Sequence, residues 1–304
     1  MAEIITENKH AYLIMYHKNS EQLIKLLGVL DDERNDIYIH ADKKTKDFPT
    51  EKLQKTVKCA GLFFTKRIKV GWGVFSIVQA IMILLKEASK KQYAYYHLLS
   101  SQDLPIKPQE YIHAFFREFS GLEFIQRGTC LPKRTDGMER IAFYHFFIDY
   151  YNNAGCYLKK AGRYIEKASL RIQKRLGINR IRGREESFFC GSTWFSITQE
   201  FAEYCVQQEK WIRKNFKWTL CGDEIFMPTI AVNSCFQSRM HHPMRLIDWD
   251  RGSVSHPHIF TGKDFHLLAQ SDCLFARKFD MEVDAEIIDR VVNELCRPNS
   301  SHSS

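Results

Sequence analysis

Two kinds of side chain stand where this sequence could do chemistry. Acidic residues follow short apolar runs, Asp42 after 37–40 and Asp103 after 94–99, and a basic pair, Arg277-Lys278, lies late in the chain. A carboxylate at a strand end can bind a ribose or a base edge or accept a proton, and fixed cations can hold phosphate oxygens. A carboxylate that caps the loop after a strand also serves structure alone, so Asp42 carries both readings at this point.

The histidines form no metal signature. His40 stands two residues before Asp42, and His241, His242, His256 and His258 are close in sequence, but no HExxH and no Cys/His ligand spacing accompanies them. Packed or solvated rings are expected, with no metal. Asp248-Trp249-Asp250 matches the DxD signature of metal-dependent sugar-nucleotide enzymes. Three-residue matches arise readily by chance, and this one lies far past the central strand end where that motif belongs. Trp72, Trp194, Trp211, Trp218 and Trp249 offer flat apolar faces to the C–H face of a pyranose, although tryptophan is more often a core residue.

The elements that must position these residues follow from hydrophobic periodicity. Residues 11–16 form a continuous apolar run, then Asn19-Ser20 caps a helix with Leu23, Leu26, Leu27 and Leu30 on one face, and 37–40 is a second strand ending at Asp42. This is a βαβ unit. A short strand at 62–64, a tight turn at 71–73, a helix over 74–89 and a buried strand over 94–99 follow. The pattern resumes over 188–198, with a helix from 199 to about 216, another opened by Gly222-Asp223-Glu224, and a last one over 284–296. Strands alternating with helices predict an α/β fold with a mostly parallel central sheet flanked by helices, binding its ligand outside the carboxyl ends of the strands.

With 304 residues, 44% of them hydrophobic and 13% aromatic, the chain can build a sizeable core, and disorder is excluded. We read 1–298 as one domain with a basic insertion at about 127–187, including a helix over 157–176, and 299–304 as a disordered tail. The net charge of +8 points to an anionic partner. Nucleic acid is not favoured, because no helix-turn-helix, RRM or zinc-finger pattern is present. Nine cysteines without a CxxC pair suit free thiols. The first ten residues lack the basic and apolar regions of a signal peptide, and no stretch reaches the ~20 apolar residues of a membrane span.

Six segments in fixed order resemble the core-2/I-branching enzyme family, the β-1,6-N-acetylglucosaminyltransferases and their peptide O-xylosyltransferase relatives. They are AYLIMYHKNSEQLIKLLGVLDDERNDIYIHADKK (11–44), GWGVFSIVQA (71–80), YYHLLSSQDLPIKP (95–108), ESFFCGSTWFSIT (186–198), GDEIFMPTI (222–230) and LFARKFD (274–280). The resemblance covers almost the whole chain. It implies a GT-A-type fold and an inverting, metal-independent transfer of a sugar, N-acetylglucosamine in the first instance, from a UDP-sugar to a hydroxyl of a glycan, with no cofactor.

The resemblance also implies site residues. Ile14 and Asp42 match nucleotide contacts, and Lys278 matches the diphosphate-binding lysine. The second cation of animal members has no counterpart near Ser255, where Arg251 is the nearest arginine in sequence. Counting back six residues from Gly191-Ser192 gives Glu185 as the general base, with Glu186 as runner-up. Glu123, Arg140 and Trp218 match acceptor contacts, and Asp223 and Glu224 match a family Asp-Glu pair in the same cleft. Without the N-terminal anchor of animal members the chain looks like the family's bacterial branch. That implies action in polysaccharide biosynthesis in the cytoplasm, with peripheral contact to an anionic membrane and a glycan or lipid-linked glycan as acceptor. The alternatives are the same fold with UDP-xylose or UDP-glucose, and a catalytically inactive carbohydrate- or nucleotide-binding protein.

Overall fold

A computed structural model of the chain describes residues 9–128, 139–148, 156–253 and 256–297. The expected 299–304 tail and the first eight residues lie outside them, as do 129–138 and 149–155 of the basic insertion.

The chain begins with β1 (His10–Tyr16), α1 (Ser20–Leu30), β2 (Asn35–Ala41), α2 (Thr50–Thr56), β3 (Gly61–Phe64), α3 (Phe75–Ala88) and β4 (Tyr95–Ser100). The predicted strands and helices of this half all form, each within two residues of the expected bounds. Asn19 accepts a hydrogen bond from the Gln22 N–H, which fixes the start of α1. β1 runs parallel to both β2 and β4, and β2 parallel to β3. Alternate residues of β1 enter opposite cores: Ala11 and Leu13 pack with α3, Tyr12 and Ile14 with α1. A strand covered on both faces has no polar side to show, which is why these runs read as continuously apolar.

β5 (Asp103–Pro105), α4 (Gln109–Glu118) and β6 (Glu123–Phe124) follow. The described part of the insertion holds α5 (Glu139–Ala142) and α6 (Cys156–Arg175) and contributes no strand. Then come β7 (Ser196–Thr198), α7 (Gln199–Gln207), α8 (Glu209–Phe216), α9 (Asp223–Val232), β8 (Met240–His241), β9 (Arg245–Ile247), α10 (Phe265–Gln270), β10 (Phe275–Arg277) and α11 (Ala285–Arg290). Among the described residues the large sheet has the order β3-β2-β1-β4-β7-β6-β8, and a small one has β5-β10-β9.

The second half departs from expectation in three places. Only the last three residues of 188–198 are a strand, because the preceding amides bond to α9 instead: Phe189 N–H donates to Thr229 Oγ1 (3.1 Å) and Gly191 N–H to the Glu224 carbonyl (2.7 Å). The helix expected from 199 to 216 breaks at Gln208, whose ψ of 6° turns the chain so that Ile212 and Phe216 join the core. The last helix is α-helical only to Arg290 and continues as a wider turn over Val291–Leu295.

Candidate active site

The carboxyl ends of five strands meet at one cavity of about 470 Å³. β1 delivers Met15, Tyr16 and His17, β2 delivers Asp42 and Lys44, and β4 delivers Ser100 and Gln102; β9 adds Ile247 and Trp249, and β10 adds Arg277 and Lys278. This is where a sheet of parallel strands is expected to hold a ligand.

The cationic part of the wall is held from behind. Lys278 follows β10 directly, and the residues after it are tied down by α1: Gln22 donates to the Phe279 carbonyl (3.0 Å) and accepts from Met281 N–H (3.1 Å). Lys18 and Gln102 both donate to Asp280, at 2.9 and 3.1 Å. Lys278 itself is half-buried, and burial together with the neighbouring Arg277 charge lowers its pKa. The Arg277 guanidinium lies 3.9 Å from the centre of the Trp194 ring and 3.2 Å from the Asp103 carboxylate. His17 is pushed below its ordinary value by burial and by Lys18 and Lys278. An anion entering this wall relieves the mutual repulsion of these groups.

Asp42 is buried at the rim of the same wall. Its Oδ1 accepts from Lys44 N–H (2.9 Å) and Val70 N–H (3.2 Å), and Lys44 Nζ lies 3.5 Å from Oδ2. His40 also lines the cavity, and its Nε2 accepts from Ile68 N–H (3.2 Å). Both readings of Asp42 therefore survive: it ties down the loop at 68–70, and it faces the cavity.

The acidic part comes from the first turn of α9. Three contacts bring it in. Cys221 N–H donates to the Gly73 carbonyl (2.8 Å), joining α9 to the turn that starts α3. Gly191 and Gly128 lie where a Cβ would collide with the Gln126 and Cys190 carbonyls, so these two backbones meet only because neither has a side chain. Asp223 and Glu224 then face the cavity, with Arg140 of α5 donating to Glu224 from 2.5 Å. Asp223 is more deeply set. Thr193 Oγ1 donates to its Oδ2 (2.8 Å), its Oδ1 is buried with no hydrogen bond, and burial followed by the Glu224 charge raises its pKa to about 6. The accessible carboxylate of the pair is Glu224, whose side chain is 21% exposed.

Three of the five tryptophans line the cavity: Trp72, Trp194 and Trp249, with Trp72 59% and Trp249 38% exposed. Of the Asp248-Trp249-Asp250 segment only the tryptophan lines the cavity. Asp248 is engaged elsewhere, with Arg251. Among the described residues no three His, Cys, Asp or Glu side chains form a metal-ligand group.

Of the residues the family resemblance implies, Asp42, Lys278, Arg140, Asp223 and Glu224 line the cavity, and Ile14, Glu123, Glu185, Glu186, Trp218 and Arg251 do not. Ile14 sits inside β1 with no exposed surface, packed in the core, because the strand runs on to Tyr16; its neighbours Met15 and Tyr16 reach the wall instead. Glu185 is exposed on a loop outside the cavity, and Glu186 is bound to Arg184 (2.8 Å) and Trp211 (3.4 Å). Glu123 is fully buried under β7, accepting from Thr198 N–H (2.9 Å) and Oγ1 (2.6 Å). Arg251 is outside as well, paired with Asp248 and Asp264 (2.7 Å), and Trp218 packs edge-on against Phe146. His17 is a cavity residue that sequence reasoning did not single out. It directly follows the end of β1 at Tyr16, and that position is the signal that could have found it.

Residues 10–269 match the model of the core-2/I-branching enzyme family. The chain belongs to that family. It is 22% identical to human xylosyltransferase 1 over 303 residues, which cover 91% of this chain and 29% of that protein. It is 23% identical to the Arabidopsis thaliana beta-glucuronosyltransferase GlcAT14A, over 94% of this chain and 64% of that protein. The chain thus spans about three tenths of the length of the xylosyltransferase. Among solved structures, mouse xyloside xylosyltransferase 1 in its apo form matches with a TM-score of 0.40 at 10% identity, over 88% of this chain and 97% of that one. Among its described residues no helix is long and apolar enough to cross a membrane.

Proposed function

We propose that this core-2/I-branching family member is an inverting glycosyltransferase that moves a sugar from a UDP-sugar to a hydroxyl of a carbohydrate acceptor. The observation that carries the reading is that one cavity joins the Lys278 cationic wall to the Asp223-Glu224 pair, with three tryptophans around it. A diphosphate suits the first and a hydroxyl about to lose its proton suits the second. Pyranose rings suit the tryptophans between.

Glu224 is the general base of this reading, in place of Glu185. Its carboxylate takes the acceptor proton as that oxygen bonds to the sugar C1, while the C1–O bond to UDP breaks and its electron pair stays on the β-phosphate. A single displacement inverts the anomeric carbon. Lys278 meets the charge that grows on the leaving phosphate, so a fixed cation does the work of a divalent ion. Arg140 orients Glu224 and keeps a positive charge beside it.

N-acetylglucosamine is the donor sugar the resemblance favours. The relatives named for xylosyl and glucuronosyl transfer make UDP-xylose and UDP-glucuronic acid the other donors to test. The experiment is UDP release from a panel of UDP-sugars in EDTA, with glycan acceptors, for wild type and Glu224→Gln. EDTA-resistant turnover of one donor that collapses in the variant is expected. A strict Mn²⁺ requirement would overturn the fixed-cation step, and binding of UDP without any turnover would leave a carbohydrate-binding protein.

A further inference from the structure

Helix α6 is the one described element whose outer face is both strongly basic and apolar. Its inner face is fixed to the domain: Gln173 donates to the Tyr144 carbonyl and accepts from its N–H, both at 2.8 Å, and Glu166 bonds to His145 at 2.8 Å. Glu166 is the only acid between 160 and 175, so its charge is spent inward.

The outer face divides in two. Ile165 and Ile172, seven residues apart, and Leu176, whose N–H still bonds to the Ile172 carbonyl, fall on one stripe and are 51%, 55% and 70% exposed. Arg175, Arg171, Lys160 and Lys167 are exposed on the flank that turns progressively away from this stripe, while Lys174 is paired with Glu139. Tyr164, 73% exposed, stands at the border between the two. Large aliphatic side chains this exposed at helical spacing are costly in water. A soluble polyanion would use the cations and leave the aliphatic stripe wet. A bilayer with anionic headgroups takes both at once, with the stripe in the acyl boundary and the cations at the phosphates.

We infer that α6 is an interfacial helix that docks the protein on an anionic lipid bilayer through Ile165, Ile172 and Leu176 and the lysines and arginines of that flank. The helix also leads to the cavity. Lys174 pairs with Glu139 (2.7 Å), the residue before Arg140, and Arg180 N–H donates to the Ala142 carbonyl (2.9 Å), so the docked helix sits against the short α5 that carries Arg140 to Glu224. If the reaction proposed above holds, an acceptor carried on a lipid is presented to that end of the cavity; the docking itself does not depend on the reaction.

The test is sedimentation with vesicles of phosphatidylcholine alone or with about one third phosphatidylglycerol, at low and high salt. Wild type is expected to sediment with the anionic vesicles and not with phosphatidylcholine alone. Ile165→Glu/Ile172→Glu should lower binding at least about tenfold, since two charges would have to enter the apolar boundary, and Lys167→Gln/Arg171→Gln should lower it about fivefold per charge. These positions are exposed, and an unchanged far-UV spectrum and melting temperature confirm that each variant is folded. Tyr164→Trp gives an independent readout, a blue shift of emission on adding anionic vesicles. Absence of binding by wild type, or binding by the Ile165→Glu/Ile172→Glu variant equal to wild type with no shift in Tyr164→Trp, overturns the inference; the latter result would mean a charge-only surface, such as one for a soluble polyanion. UDP release is measured separately in detergent-free solution with a soluble acceptor, so loss of docking and loss of the reaction are read apart.

Discussion

Arg140 donates to the Glu224 carboxylate from 2.5 Å, and by that contact the basic insertion reaches into the cavity formed by the sheet. The pair is partly shielded, its side chains 14% and 21% exposed, so Arg140 holds the carboxylate in place at the cavity wall. Asp223 beside it is locked to Thr193 and has its remaining oxygen buried, which leaves Glu224 as the group able to touch a substrate.

Glu224→Gln should therefore cut kcat by about 10²–10⁴ while leaving UDP affinity near wild type, since the amide keeps the shape and cannot take a proton. Glu185→Gln should leave turnover unchanged, because Glu185 is exposed outside the cavity. Steady-state UDP release and UDP titration on both variants check this; equal loss in the two would return the base to the loop.

Lys278→Met keeps an unbranched side chain one atom shorter and removes its charge. Turnover should fall by about 10²–10³, the cost of losing a preorganised charge at the leaving group. Methionine fits the half-buried position, so the melting temperature should hold. A fall in kcat larger than the rise in KM would mark a contact that strengthens as the glycosidic bond breaks.

Trp72 is the most exposed of the cavity tryptophans. If its ring carries a sugar in both ground and transition states, Trp72→Ala should raise the KM of one substrate by about tenfold with kcat nearly unchanged. Varying donor and acceptor separately assigns the ring to one of them.

Glu123 supplies a pH signature away from the site. Burial raises its pKa from 4.5 to about 7, so the folded protein holds this proton over a range where the unfolded chain has lost it. Stability from this group is thus full below pH 4.5 and is lost as pH rises to about 7, by on the order of 3 kcal/mol at 1.36 kcal/mol per pH unit. Glu123→Gln lacks that loss, so relative to wild type it should gain stability between pH 5 and about 8 in urea unfolding. A difference between the two that does not change with pH would sink the assignment.

Much of the first hundred residues was legible from sequence because their strands are covered on both faces and their helices on one, and these two patterns differ in period. Asp42 could be placed for a related reason: it stands at a strand end, and in a parallel sheet strand ends converge, whereas Lys278 was placed by the resemblance of LFARKFD alone. The order of the six family-like segments carried the family itself.

What local pattern could not decide was which residues far apart in sequence share the cavity. Glu185 was chosen by counting along the chain, but the backbone from 188 to 194 spends its amides on α9 and turns, so the count leads to the outside while Glu224, more than thirty residues later, arrives at the wall. Ile14 failed by the length of one strand turn, since only the full pairing of β1 with β2 and β4 carries the strand on to Tyr16. Glu123 and Arg251 were placed by their position relative to the family-like segments, and tertiary packing engages them elsewhere, Glu123 with Thr198 and Arg251 with Asp248 and Asp264. Composition and periodicity determined that this chain builds an α/β sheet with carboxylates at its strand ends. Packing of α9 and the basic insertion against that sheet decided which of those charges face one another, because their separation in space depends on backbone contacts that no local pattern encodes.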